Sequence, residues 1–315
     1  MSEQVRKYTA PLIILILILI LWEGLVTIFE IEQFLLPKPS VIMARFVNIL
    51  VLDPTPVSPE ESNISISNDL LVFVPENVWQ ATLQKVLSEQ VAQVSLFGKQ
   101  VILVRGSILK PLLQASLFTL RGALGGFAIG CALGILAALV TARWTATREA
   151  LLPFAIAANS TPIIAFAPIM NNWFGIDNPI SKMAIVAIMV FFPMMINTIR
   201  GLTSADPRSI ELMRSYAATD FEILFKLRIP SALPYLFSGL KIAAALSMIG
   251  AVVGEYFGGP RIALGVFITQ EAALFRFASA WAAIIIACIM GIVLYLLILL
   301  AERLAMPWHV SFRKS

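Results

Sequence analysis

Between Arg200 and Pro230 the chain gathers nine of its 42 charged residues: Arg200, Asp206, Arg208, Glu211, Arg214, Asp220, Glu222, Lys226 and Arg228. Acids and bases alternate there, but the stretch holds no histidine or cysteine. Metal binding and acid–base catalysis draw on convergent His, Cys and carboxylate groups. The only histidine of the chain, His309, lies in the polar tail, and a single histidine makes no metal cluster. The chemistry this segment offers is therefore capping and pairing. Asp206-Pro207 supplies an N-cap followed by a proline at the first helical position. Ile210, Met213, Tyr216 and Ala217 then share one helical face, with Arg208, Glu211 and Arg214 mostly off it. Asp220 is positioned to cap a second helix, whose apolar face is Phe221, Leu224 and Phe225, and Glu222 and Lys226 form an i,i+4 pair. Pro230 is expected to end this helix and Ser231 to open the next element. Two amphipathic helices this short need a surface to rest on. That surface is either lipid headgroups or a soluble partner.

Everything around this segment is oily. The chain is 59% hydrophobic and 13% charged, with a mean hydropathy of +0.87, whereas soluble domains run near 45–50% apolar and about 25% charged. It is an integral membrane protein, all-α in fold class. Six stretches approach the roughly 20 apolar residues a spanning helix needs: Thr9 to Phe29, Leu113 to Val140, Leu151 to Phe174, Met183 to Ile199, Leu233 to Val253 and Ala280 to Leu300. The third is broken by Pro153, Pro162 and Pro168 and is either a span or a re-entrant segment. The first follows Arg6 and Lys7 like a signal peptide, but its apolar core is too long and no small-residue cleavage site follows, so it reads as an anchor. Basic residues sort by side. Arg6 and Lys7, Arg143 and Arg148, the five between the fourth and fifth spans, and Arg303, Arg313 and Lys314 all fall on one face of a six-span chain. That face is expected to be cytoplasmic, with both termini inside. The pI of about 9.2 then reflects loop Lys and Arg rather than a nucleic-acid partner.

These spans divide the chain into an N-terminal transmembrane helix (1–30), an external segment (31–112), a core with five further spans (113–304) and a cytoplasmic tail (305–315). The external segment contains a Pro/Ser/Asp-rich loop, then a candidate amphipathic helix from Pro75 and a short strand within "KQVILVRG". Cys131 and Cys288 both sit in apolar runs and read as buried small hydrophobes. Ionisable residues within spans are functional candidates: Glu23, Arg121 and Lys241, with Glu255 and Glu271 bracketing the external loop between the last two spans. Each of the first three also suits an ordinary role, snorkelling or pairing at a span end. Ser247, Met248 and Gly250 offer small or soft side chains for a pathway lining, or equally for helix packing. Asn159, Thr161, Asn171 and Asn172 place polar groups on the broken third segment, where freed backbone can line a cavity.

The charged segment resembles the cytoplasmic EAA loop of permease subunits in ATP-binding-cassette importers, E-A-A, three residues, G, nine residues, I-x-L-P. Glu211 takes the Glu, Leu212 and Met213 the two Ala, and Ala217 the Gly; Leu227, Ile229 and Pro230 take the Ile, Leu and Pro. Only Glu and Pro are identical, but three further motifs agree in order. "LLPKPSVIMARF" (35–46), "STPIIAFAPIMNNWFGI" (160–176) and "FFPMMINTIRGLTSADP" (191–207) are similar to stretches of the nitrate/sulfonate/taurine-type permeases. The stretch "GEYFGGPRIALGVFITQEAA" is most similar to the pyrimidine and riboflavin importers. An insertion at about 51–110 departs from the family, where the second span follows sooner.

The resemblance implies a type I importer permease, with a coupling loop at about 203–231, in a bacterial inner membrane. It implies two cytoplasmic ATPase subunits, an external solute-binding protein and a second permease copy, in a homodimer or a heterodimer. Glu211 to Ala217 becomes the coupling helix, with Arg214, Asp220, Leu227, Ile229 and Pro230 in the same loop. The chain has no G-x-x-x-x-G-K-[ST]; its one Gly-Lys, Gly98-Lys99, is followed by Gln100. It is thus expected to be no enzyme itself and to bind no cofactor, ATP and Mg sitting on the ATPase partners. The implied solute is a vitamin-type heterocycle (riboflavin or a thiamine-precursor pyrimidine), or else a small sulfonate- or nitrate-like anion. The rival class is an ion-coupled secondary transporter or channel; such proteins show intramembrane Asp/Glu relays or inverted repeats, which this sequence lacks.

Overall fold

Four stretches of this chain must hold their backbone hydrogen bonds within themselves over the thickness of a bilayer, and helices are the structure that does so. In the computed structural model these are α3 (Leu109–Arg143), α5 (Pro179–Leu202), the helical run from Asp220 to Tyr256, and α10 (Phe277–Ala305). The structure describes residues 3–32, 36–50, 71–73, 92–96, 99–103, 109–143, 153, 157 and 162–307. Each long helix overshoots its predicted apolar core by several residues at both ends. The first predicted span lies within α1 (Glu3–Ile28), which is apolar over Ile13–Ile28 among the residues whose side chains are described. Of the third predicted span, the residues from Pro162 onward form a 3₁₀ turn (Ile163–Phe166) and then α4 (Ala167–Phe174). At about 1.5 Å per residue, α4 alone is too short to cross.

The described residues fall into two units. One comprises 1–115 with 267–285. It holds α1, α2 (Pro39–Leu50) and a small antiparallel sheet of β1 (Leu71–Phe73), β2 (Ala92–Leu96) and β3 (Lys99–Leu103), in the order β1-β3-β2. Leu71 pairs with Leu103, and Ala92 with the same residue from the other side. The strand expected within 99–106 is β3. β1 and β2 were not foreseen, and the helix expected from Pro75 falls on residues outside the described ones; the described fold is mostly helical with this one small sheet. In this unit the Glu23 carboxylate of α1 accepts from the Ser40 N–H (3.1 Å) and Oγ (2.7 Å), capping the start of α2. Trp22 packs against Trp281 with the rings tilted at 59° and centroids 5.2 Å apart, and Arg45 Nε donates to Ser279 Oγ.

The other unit comprises 116–266 with 286–315. Its centre is α5, with α3 along one flank and α8 (Ile229–Tyr256) along another. Ala123 and Cys131 of α3, Val186, Val190 and Met194 of α5, and Ala243, Met248 and Ala251 of α8 form one buried cluster. Close approach is set by glycine. A Cβ at Gly130 would sit 2.7 Å from the Ala187 carbonyl, and one at Gly134 2.8 Å from that of Phe191. Gly126 and Gly122 continue this i,i+4 stripe on α3 against Val186 and Lys182. Such small-residue seams let helices pack where water supplies no driving force between them. Cys131 is buried as expected, but Cys288 is exposed on α10.

A packing seam of this kind predicts opposite outcomes for two glycines. Gly130→Ala should destabilise the detergent-purified chain by about 1–3 kcal/mol through overpacking. Gly24→Ala, with nothing within 4 Å of its Cβ, should be neutral or mildly stabilising. Thermal unfolding of both variants checks this.

Candidate functional site

The charged segment folds as two capped turns between α5 and α8. Asp206 Oδ1 accepts from the Arg208 N–H, and Pro207 opens α6 (Pro207–Ser215), as expected. α6 buries none of its residues. Leu212 is 58% exposed and Tyr216 80%, followed by Phe221 at 68% and Phe225 at 52%. This is a row of large exposed apolar side chains, in which Phe221 and Phe225 pack on each other with ring centroids 4.4 Å apart. Glu211 and Arg214 are exposed beside them.

Ala217 closes α6 in the left-handed region, at φ +57. Its N–H donates to the Arg214 carbonyl (2.9 Å), and the Ala218 N–H reaches back to the Met213 carbonyl (3.0 Å). Both bonds define a Schellman closure, whose central position glycine fills without strain. Alanine does not take this geometry cheaply. It takes it nonetheless, because the two backbone bonds meet carbonyls that would otherwise be orphaned.

The second cap is a correction. Asp220 was expected to cap the next helix, but Thr219 does so: its hydroxyl accepts from the Glu222 N–H while Glu222 accepts from the Thr219 N–H, a reciprocal box. Asp220 is the first helical residue and exposed. The Glu222 carboxylate also accepts from the Thr219 hydroxyl (3.1 Å) and from Lys226 Nζ (3.0 Å).

Pro230 does not end this helix either. α7 (Asp220–Ile223) passes through a π-turn over Leu224–Arg228 directly into α8, with the Ile229 N–H donating to the Leu224 carbonyl. A proline ring clashes with the carbonyl four residues before it, and one wide turn relieves that clash without breaking the rod. Leu227 and Ile229 are half-buried in this run and Pro230 is exposed.

A second polar cluster lies at the opposite ends of the same helices. Lys182, one residue ahead of the fourth predicted span, is fully buried in α5. Asn178 caps α5 and Pro179 opens it. That N-cap is the signal that places Lys182 inside the helix, three residues before inward-facing Ile185. Lys182 Nζ donates to Asn171 Oδ1 (2.9 Å) and to the Ile176 carbonyl. Asn171 Nδ2 in turn donates to the Gly258 carbonyl (2.9 Å), past the end of α8. Glu255, also fully buried, accepts at Oε2 from Thr119 Oγ1 (2.8 Å) and from the Gly265 N–H (2.9 Å), while Thr119 Oγ1 accepts from the Leu264 N–H (3.1 Å). Thr119 and Lys182 were not singled out as functional residues in the sequence.

The remaining candidates are dispersed. Ser247 is buried and donates to the Ala244 carbonyl. Met248 belongs to the core cluster, and a Cβ on Gly250 would sit 2.8 Å from Met189 Sδ. Lys241 pairs with Glu302 of α10 at 2.9 Å, and Arg121 is exposed on α3. Glu271 is buried, with Arg276 3.9 Å away, and Asn172 is exposed. Asn159 and Thr161 lie outside the described residues. Among the described residues no three His, Cys, Asp or Glu side chains converge as metal ligands.

Residues 130–306, more than half of the chain, match the model of the binding-protein-dependent transport system inner membrane component, and the chain belongs to that family of importer permeases. Over 184 residues it is 35% identical to the formylaminopyrimidine transport permease protein of Halalkalibacterium halodurans, covering 58% of this chain and 73% of that one. It is 28% identical to the riboflavin transport system permease protein of Chloroflexus aurantiacus over 94% of this chain and 89% of the relative. A taurine transport system permease protein of Escherichia coli is 22% identical over 96% and 91%. A crystal structure of an amino acid ABC transporter with histidines shares the fold at a TM-score of 0.50, with 18% identity over 62% of this chain and 94% of that one. The chain is thus a multi-pass component of a transport system.

The αL position of Ala217 yields a local test. Ala217→Gly should tighten the end of α6 by about 1 kcal/mol. Hydrogen exchange of the 216–218 amides should slow about fivefold with no change elsewhere.

Proposed function

We propose that this chain is the membrane-spanning translocation subunit of an ATP-driven importer, and that α6 is the element through which partner ATPase subunits drive it. In this reading the chain hydrolyses no ATP. Two cytoplasmic ATPases hold ATP and Mg, an external binding protein delivers the solute, and a second copy of the permease completes the pathway. The first and third predicted spans also cross, giving six spans with both termini in the cytoplasm. The observation that carries this is α6 itself. It is a helix with no buried residue, capped at both ends and bearing exposed Leu212 and Tyr216. A helix of nine residues does not persist in water unless it docks.

Glu211, Arg214 and Ala217 form the docking face, with Asp220 at the head of the following run. That run, through Leu227, Ile229 and Pro230, is continuous into α8, so a push on α7 is delivered to the membrane helix without a break, and α6 reaches α7 through the hydrogen-bonded turn over 216–219. Asn159, Thr161, Asn171, Ser247, Met248, Gly250 and Glu255 remain the proposed pathway group.

The solute we assign is a vitamin-type heterocycle, a pyrimidine or a flavin, rather than a sulfonate or nitrate. An anion path needs basic groups or helix N-termini directed at the solute. In the described spans Lys182 and Lys241 are both engaged with acceptors of the protein, and Arg121 lies on the exposed side of α3. The first two relatives named above are permeases for a formylaminopyrimidine and for riboflavin.

Gentle purification of the full chain from its host, beside Glu211→Ala and Leu212→Glu variants, tests the docking role. An ABC-type ATPase should co-elute with the wild type and be reduced at least about tenfold with Leu212→Glu, the effect of losing one central apolar anchor. A folded, dimeric chain with no ATPase would return the segment to the lipid surface and favour the secondary transporter. Uptake by the reconstituted complex tests the solute. Formylaminopyrimidine or riboflavin should compete for transport and taurine should not; the reverse result would overturn the heterocycle assignment.

A further inference from the structure

Beyond the pathway role proposed for Asn171 and Glu255, the polar cluster at the ends of α3, α5 and α8 remote from α6 has a positional role of its own. We propose that Lys182 and Glu255 are positioning residues that act as one charge-compensated latch. The carboxylate holds the first turn of α9 (Leu264–Ala273), and the ammonium, through Asn171, holds the last turn of α8.

Each half follows from the needs of a helix end. The first N–H groups of α9 have no partner within the helix. Those of Leu264 and Gly265 are met by Thr119 Oγ1 and Glu255 Oε2, from two other helices. A carboxylate there also faces the positive end of the α9 dipole. At the other end of the cluster, the carbonyls that close α8 are met by Asn171, whose own oxygen accepts from Lys182. A cation near a helix C-terminus is the complementary placement.

Charge couples the two halves. Lys182 and Glu255 are both 0% exposed, and a lone charge of either sign in so dry a site is expensive. They do not touch, but Asn171, which takes the Lys182 ammonium, bonds the Gly254 and Gly258 carbonyls on either side of Glu255, so both charges sit in one cluster. Glu255 takes both of its donors at Oε2, while the buried Oε1 has no hydrogen-bond partner among the described residues. Hydrogen bonds within the cluster thus leave the carboxylate half-satisfied. Lys182 is the one buried cation among the described residues able to offset it. The other charge acting on Lys182, Asp177, lies on the exposed side.

The functional consequence rests on the importer reading. There, the loop from Phe257 to Arg276 is on the face where solute enters. Opening that face moves α9 away from α8, which uncaps two helix ends and separates two buried charges in a single step. The latch therefore biases the transporter toward the state with this face closed until the binding protein and the ATPases together overcome it.

The test uses full-length wild type, Lys182→Met, Glu255→Gln and the double variant, purified and also reconstituted with the ATPase and binding protein. Each single variant should lower the midpoint of thermal unfolding by roughly 10 °C. Each should also cut the ratio of binding-protein-stimulated to basal ATP hydrolysis by about threefold. The double variant, with both charges gone, should regain at least half of both losses. Additive losses in the double variant overturn the latch. A single variant that cannot be purified while the double can is the same compensation in stronger form. Isosteric Thr119→Val supplies an arm that keeps both charges. Deuterium uptake over 262–268 should quicken about tenfold and stay unchanged with Thr119→Ser or over 207–216; unchanged uptake with Thr119→Val sinks the capping half. The unfolding and exchange readings need only the chain itself. Failure to capture any ATPase would remove the importer reading and leave these arms standing.

Discussion

A helix that ends inside or near a bilayer has no water to meet its last amide and carbonyl groups, and this chain solves that problem with side chains borrowed from neighbouring helices. Glu23 of α1 meets the start of α2, Glu255 and Thr119 meet the start of α9, and Asn171 meets the carbonyls closing α8. Where the chain is exposed, at α6 and α7, the caps are local instead: Asp206, Thr219 and the backbone closure at Ala217. Local caps need only sequence neighbours. Caps from other helices need the tertiary fold first, so the buried ends and the packing of α3, α5 and α8 stand or fall together.

That division explains what was legible in the sequence. The spans could be read because hydropathy over twenty residues is a bulk property, and α3, α5, α8 and α10 lie where the apolar runs put them. The start of α6 could be read because Asp-Pro is a local signal. Lys182 fell just outside its predicted span because an apolar run is cut at its first charge, whichever face of the first turn that charge occupies. Its carboxylate counterpart was noticed, but its partners, Thr119 and the amides of α9, lie 136 residues before it and 10 after. No short pattern connects them. The choice of Thr219 over Asp220 as cap was a contest between adjacent residues, settled by Glu222 standing three places after Thr219 and closing the box.

The small sheet in the insertion was half-legible for a similar reason. β3 carries a run of β-branched and aliphatic residues that announces itself, while β2 offers only "AQVSL" and becomes a strand by pairing with β3. The glycine stripe on α3 was visible as composition, but its meaning was not. Only the distance to the Ala187 and Phe191 carbonyls shows that those positions fix how near α5 may come.

The π-turn at Leu224–Arg228 has a consequence of phase. A regular helix advances about 100° per residue, and a wide turn takes up one residue more than that rhythm allows. The aromatic face of Phe221 and Phe225 is therefore out of step with the face of α8 that carries Gly239, Gly250 and Gly254 toward α5. The turn sets the angle at which anything seated on those aromatics is clocked against the membrane helices, as a keyway sets a gear on its shaft.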